Sequence, residues 1–374
     1  MTQIFGAPGR YIQGYGELRN IKKHLSHLGD SFLVIASKNR TRDLGEIVKE
    51  SFGEGFKIIF AIFNGESSRK EIKRLMDIAA AEGCQAIIGL GGGKVIDTTK
   101  AVGAGLNLAT VIIPTIAATD AATGALAVIY NEDGSLDEEI HFSKNPDVVL
   151  VDTEIIMKAP ARFLVAGMGD ALSTYLGARV AYQQYKDNEY GAKPTEASMA
   201  LSKLSYDLLM KHGVAAKLAC EQKVMTKDLN KIIEVNVLLS GLGMESSGGA
   251  SDHSFYYAFC SLTHRSEYMY HGEYVAFSTL CMLVMQGASQ EELDEVLRFC
   301  LNVGLPVCLA DMQLDDLTEE EFKMVAQSVL SQAGPKNHPF EVTEMDVIGA
   351  IKTADAIGKL YKKGSRLIAV EATC

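Results

Sequence analysis

The sequence predicts an α/β protein in two parts. A parallel-sheet domain occupies residues 1–160 and an all-helical domain follows over 161–374. Three observations carry this reading. Continuous apolar runs of strand length alternate with amphipathic helical stretches up to Asp152, as in a parallel sheet covered on both faces. After Pro160 long helical periods follow one another to the end of the chain. A chain of 374 residues is also long for one hydrophobic core and suits two.

Taken in order, strands are expected at 32–36, 56–63, 84–89 and 109–113. A charged helix is expected over 42–50. A second, opened by Ser67 and Ser68, runs to about residue 82 with Ile72, Leu75, Met76 and Ala79 on one face. Residues 124–130, the turn Asn131-Glu132-Asp133-Gly134 and the run up to Phe142 read as a hairpin insertion, and 147–152 closes the domain. Beyond Pro160, helices are expected over 161–182, 195–219, 227–242, 249–262, 271–287, 290–303, 318–332 and 344–361.

A hydrophobic content of 47% with 22% charged residues is ordinary for a globular protein in water. The net charge of −11 argues against nucleic acid or an anionic membrane surface as partner. The N-terminus lacks a basic region followed by an apolar run, and Gly, Pro, Asn or Gln interrupts the longest uncharged runs short of a membrane span. Seven cysteines without a Cys-x-x-Cys pair fit reduced thiols, so a cytoplasmic protein is expected.

Four stretches carry chemistry. His253 follows Gly248-Gly249 closely, and His271 stands in Tyr270-His271-Gly272-Glu273. Eighteen residues on one straight helix would span about 27 Å. Two ligands of one metal ion must each lie roughly 2.0–2.1 Å from it, so the chain has to turn back between them. The polar, aromatic run 263–268 is the place for that turn. Gly167-Met168-Gly169-Asp170 puts a carboxylate after two glycines at what reads as the start of an apolar helix, where it would also serve as an N-cap. Gly89-Leu90-Gly91-Gly92-Gly93-Lys94 follows a strand and opens a helix. That context suits a phosphate, and equally a tight strand-to-helix turn. The loop from Pro114 to Gly124 leaves the carboxyl end of a strand and carries Asp120, which could equally be a turn residue bonding its own backbone.

Together these motifs resemble the glycerol dehydrogenases, within the iron-containing alcohol dehydrogenase superfamily, and the resemblance runs through nearly the whole chain. It implies a Rossmann-like sheet domain followed by a helical domain, the dehydroquinate synthase-like arrangement. By the same resemblance Asp170, His253 and His271 are metal ligands, and Gly92, Gly93, Lys94 and Asp97 lie at the pyrophosphate of NAD(P). Thr115, Leu126 and Tyr130 match the nicotinamide side, where Ala118 and Gly124 replace the family's usual serines. Asp120 matches the aspartate at the substrate.

The implied activity is oxidation of the secondary hydroxyl of glycerol or a related small vicinal diol, or reduction of the matching hydroxyketone. A glycerol-1-phosphate dehydrogenase, a 2-oxo acid or ketone reductase, and a non-catalytic relative are the alternatives. A phosphorylated substrate would need a cationic pocket, for which Arg265 is the obvious residue. Superfamily members that prefer iron resemble one another in a histidine four residues after the aspartate. Thr174 stands there, which favours Zn2+ over Fe2+. The family's second histidine is Tyr256, and Asp252 beside His253 is a further departure, able to orient that histidine or to face solvent. Phe255, Tyr256 and Tyr257 form either an aromatic cleft wall or core. After the first strand, Ser37-Lys38-Asn39-Arg40 offers no acid for an adenine ribose, and Ser37 with these cations suits the 2′-phosphate of NADP. A homo-oligomer is expected, with the active site in the cleft between the domains.

Overall fold

A computed structural model describes residues 2–262 and 269–364. The chain opens with β1 (Tyr11–Gly14) and α1 (Ile21–Leu25), then alternates β2 (Ser31–Ala36), α2 (Lys38–Phe52), β3 (Lys57–Ile62), α3 (Arg69–Glu82), β4 (Ala86–Gly91), α4 (Gly93–Leu106) and β5 (Ala109–Pro114). The hairpin strands β6 (Leu126–Tyr130) and β7 (Leu136–His141) follow, then β8 (Val148–Asp152) and α5 (Thr153–Lys158). The rest is helical: α6 (Ala161–Gln183), α7 (Glu196–Glu221), α8 (Lys227–Glu234), α9 (Ser240–Ser247), α10 (Asp252–Cys260), α11 (His271–Met285), α12 (Gln290–Val303), α13 (Glu319–Ser331) and α14 (Glu344–Lys362).

The sheet has six strands in the order β1-β8-β5-β4-β2-β3, every adjacent pair parallel. The hairpin β6–β7 forms a separate antiparallel ladder. Every residue of β2, β4 and β8 is buried, because helices cover both faces and each strand is apolar throughout. Phe32, Val34 and Ala36 point to one face, packing with Leu18, Ile21, Val48 and Phe52. Leu33 and Ile35 point to the other, packing with Leu75, Ala79 and Val102. The expected fold class is therefore the observed one. Ser37 and Ser68 cap α2 and α3 by accepting N–H bonds from Arg40 and Glu71. Strand β1 was not expected: its four residues are too few to show a period, and it is held by pairing with β8.

The chain forms two compact units. One contains Gly6–Leu164 and Ala219–Leu242, and the other contains Met1–Phe5, Val165–Leu218 and Gly243–Cys374. Residues 219–242, which the sequence groups with the helices after Pro160, thus pack within the sheet unit. Cys220 Sγ donates to Met157 O at 3.8 Å, Lys223 Nζ to Ala159 O at 2.5 Å, and Gln13 Nε2 to Asn230 O at 2.8 Å. Helical periodicity shows that a segment has an apolar stripe but not what that stripe meets. The expected helix over 227–242 is also interrupted, since Val235–Leu239 is a π-helical turn between α8 and α9. Among the described residues no helix is long and apolar enough to cross a membrane.

Candidate metal centre and dinucleotide turn

Asp170 lies deep in α6 rather than at its start, so it caps no helix. The glycine immediately before it, Gly169, has another use. A Cβ on Gly272 would fall 1.8 Å from Ala166 O, and one on Gly169 would fall 2.1 Å from Gly272 O. Helices α6 and α11 therefore touch backbone to backbone, at a separation that only glycine allows. His271 is the first residue of α11. Its entry is set by the Tyr270 N–H, which donates to Glu273 Oε2 at 2.8 Å. This contact brings His271 Nε2 to 3.0 Å from Asp170 Oδ1. From the start of α10, His253 Nε2 reaches the same oxygen at 3.8 Å.

The three ligand atoms lie within 4.8 Å of one another. Two ligands on a tetrahedral zinc at roughly 2.0–2.1 Å would be about 3.3 Å apart, so the observed spacings fit a metal between them. A buried carboxylate facing two imidazoles is also the donor set such an ion takes. The Asp170 side chain is 2% exposed, while those of His253 and His271 are 31% and 27% exposed. The pocket therefore has a buried anionic floor and an open rim. Burial alone would raise the Asp170 carboxyl, but the two histidines hold it well below the usual carboxylate range. Removal from water would likewise lower His253, yet its bonds to Asp170 and Asp252 and their charges hold it well above the ordinary imidazole value.

Tyr256 meets His271 edge-on with ring centroids 4.3 Å apart, so it walls the pocket at the place of the missing histidine. Phe255 is fully buried core, whereas Tyr256 and Tyr257 are half-buried. The expected turn at 263–268, with His264 and Arg265, lies outside the described residues.

In the sheet unit, the carboxyl ends of β2, β4 and β5 are adjacent, with Ala36 opposite Leu90 and Gly91 opposite Pro114. Ser37, the turn Gly91–Gly92 and Thr115 thus share one edge of the sheet, where open α/β folds bind ligands. Thr115 N–H donates to Gly91 O at 3.0 Å, and Gly92 caps α4, whose free N–H groups start at Gly93. Lys94 pairs with Glu66 at 2.6 Å and lies 5.5 Å from the Tyr130 ring centroid.

Asp97 turns inward, 3.3 Å from buried Lys100, and accepts the Val128 N–H. Lys100 Nζ donates to the carbonyls of Ala121, Gly124 and Leu126, tying down the loop that carries Asp120. Asn236 Nδ2 donates to Ala117 O beside Ala118, and Ser240 Oγ donates to Asp120 Oδ2, both at 2.9 Å. Sequence reasoning missed Lys100, Asn236 and Ser240. Only Lys100 left a signal, as a lone cation one turn after Asp97 in the apolar part of α4.

The family model described as iron-containing alcohol dehydrogenase matches residues 8–153. Glycerol dehydrogenase of Citrobacter freundii is 42% identical over 363 residues, covering 96% of this chain and 99% of that one. The chain belongs to the glycerol dehydrogenase family. Another relative, glycolaldehyde reductase of Halobacterium salinarum, is 38% identical over 361 residues, covering 96% and 99%. A crystal structure of a probable glycerol dehydrogenase from Sinorhizobium meliloti 1021 aligns with a TM-score of 0.90 at 37% identity, covering 96% of this chain and 99% of that one. Membership in the glycerol dehydrogenase family makes the protein a metal-dependent, NAD-linked polyol dehydrogenase.

The α6–α11 contact makes a direct prediction. Gly272→Ala forces two backbones apart and is expected to destabilise the metal-free protein by about 1–3 kcal/mol and to lower bound metal well below the parent. Thermal unfolding and metal analysis would check this. Parental stability with parental metal content would show that the contact does not set the ligand spacing.

Proposed function

We propose that this enzyme oxidises the secondary hydroxyl of glycerol or a related small vicinal diol, with Asp170, His253 and His271 holding one zinc ion. The observation that carries the reading is the buried Asp170 carboxylate faced by two imidazole Nε2 atoms at 3.0 and 3.8 Å. A secondary alcohol is a poor hydride donor until it loses its proton. A divalent cation held there lowers the pKa of the bound hydroxyl and, in reverse, polarises a carbonyl. Asp170 anchors the site because it is the one charged ligand and is locked in α6. The histidines complete three ligands and leave a fourth position open, as in catalytic zinc sites. Thr174 supplies a hydroxyl where iron-preferring relatives carry a histidine, which supports zinc.

Asp120 is the group assigned to the substrate's neighbouring hydroxyl, either as hydrogen-bond acceptor or in relaying its proton. Its bond from Ser240 Oγ holds the carboxylate in one orientation. Gly92, Gly93 and Lys94 are assigned to the pyrophosphate, where the free N–H groups of α4 and the lysine charge favour an anion. Thr115, Ala118, Gly124, Leu126 and Tyr130 are assigned to the nicotinamide half. Asp97, expected at the pyrophosphate, turns away from the Gly-rich turn and serves the dinucleotide indirectly, by bracing the 115–126 loop through Lys100. Reduction of a hydroxyaldehyde or hydroxyketone uses the same residues in reverse. The resemblance to a glycolaldehyde reductase favours that direction as the second reading.

A cytoplasmic location is supported by the six described cysteines, all free thiols.

The metal assignment predicts that His271→Ala loses zinc and activity together, measured by metal analysis and turnover on glycerol. His264→Ala is expected to keep both. Retained zinc and normal turnover in His271→Ala would sink the ligand set.

NADP(H) is proposed to serve at least as well as NAD(H). Ser37 caps α2 at 3.3 Å from the Arg40 N–H, and among the described residues neither Lys38 nor Arg40 pairs with a carboxylate. The first acid, Asp43, is already engaged by Arg42 at 2.8 Å. A 2′-phosphate at the helix start would meet these donors and the positive end of the dipole. Comparison of kcat/KM with the two coenzymes is expected to give a ratio near or above one for NADP. A hundredfold preference for NAD, about 2.7 kcal/mol, would show that these cations do not face the ribose.

A further inference from the structure

We propose that Asp252 is a positioning residue for the metal centre, acting through His253; this rests on the metal reading above. Its side chain is 3% exposed, and its carboxylate accepts two hydrogen bonds. His253 Nδ1–H donates to Oδ2 at 2.9 Å, and the Ala250 N–H donates to Oδ1 at 3.2 Å. An imidazole that donates from Nδ1 presents Nε2 as a lone-pair donor, and Nε2 is the atom facing Asp170. The carboxylate thus fixes both the tautomer and the ring plane of one ligand.

The room for this carboxylate is built into α6. A Cβ on Gly177 would fall 2.7 Å from Asp252 Oδ1 and 3.1 Å from its Cγ. Gly177 lies seven residues after Asp170, on the same helix face. One stripe of α6 therefore supplies the anionic ligand and, two turns on, the notch that seats the orienting carboxylate. The segment before α10 and the first turn of that helix are held from behind. Asn337 Nδ2 donates to Gly249 O at 2.8 Å, His338 Nε2 bonds Ser251 Oγ at 2.7 Å, and Gln332 Nε2 donates to Ser254 O at 3.3 Å. Asp252 cannot swing away without breaking that seat.

Charge points the same way. One carboxylate and two neutral imidazoles would leave a divalent cation with one net positive charge over a buried floor, and the buried Asp252 carboxylate offsets it. Asparagine cannot replace it, because the two N–H groups meet different oxygens and an amide puts an NH2 group at one of those positions.

The test is zinc affinity of the metal-free protein, measured by competition with a chromophoric chelator, alongside thermal unfolding. Asp252→Asn and Asp252→Ala are expected to bind zinc about 10–100-fold more weakly while the metal-free protein stays folded. Gly177→Ala, which pushes on the carboxylate without removing it, is expected to weaken zinc in the same direction. If Asp252→Ala does not fold, the near-isosteric Asp252→Asn decides. Zinc affinity within threefold of the parent in folded Asp252→Asn would overturn the proposal. His271→Ala separates the two levels: if it weakens zinc while Asp252→Asn does not, the ligand set stands and only the role of Asp252 falls.

Discussion

Within the helical unit, the arrangement depends on one close approach, the backbone contact of α6 with α11 at Gly169 and Gly272. Most helix pairs are held 8–10 Å apart by their side chains. Here neither helix has a side chain at the crossing, and the residues flanking it, Asp170 and His271, are brought within 3.0 Å. A buried aspartate in a helix interior has no free backbone donors to satisfy it and costs several kcal/mol unless paired. The two imidazoles provide that pairing in the protein alone. On the proposed ligand set a divalent cation would provide it more strongly, coupling folding to metal binding through that carboxylate.

A different constraint shapes the sheet unit. The loop from Thr115 to Leu126 is long and carries little regular structure, yet Ala117, Ala122, Thr123 and Asp120 are buried. Its carbonyls need donors, since unpaired backbone groups out of water are costly. Lys100 meets Ala121, Gly124 and Leu126 from below, and Asn236 meets Ala117. The π-helical turn at Val235–Leu239 shifts the helical phase so that Asn236, the Val237 carbonyl and Ser240 all face this loop. Asp120 is thereby held in one orientation by the protein alone, which suits its proposed role at a substrate hydroxyl.

Much of this was legible in the sequence because the relevant signals are local. Uninterrupted apolar runs marked β2, β4, β5 and β8, and the long helical periods after Pro160 matched α6, α7 and α11 to α14 within a few residues. The three ligand-type residues stood in distinct Gly-containing contexts. What was not legible depends on contacts far apart in the chain. The glycines before Asp170 looked like a helix start, whereas the partner of Gly169 is Gly272, about a hundred residues away. Membership of 219–242 in the sheet unit rests on bonds such as Lys223 to Ala159, which no periodicity encodes. Asp252 could have faced solvent, and its burial follows from a vacancy at Gly177 on another helix.

The central claim is that Asp170, His253 and His271 hold one zinc ion, and anomalous X-ray diffraction from crystals of the zinc-loaded protein tests it most directly. Data collected on either side of the zinc absorption edge should give one strong difference peak bounded by these three side chains. No peak there, a peak against other residues, or one that tracks the iron edge instead would contradict it.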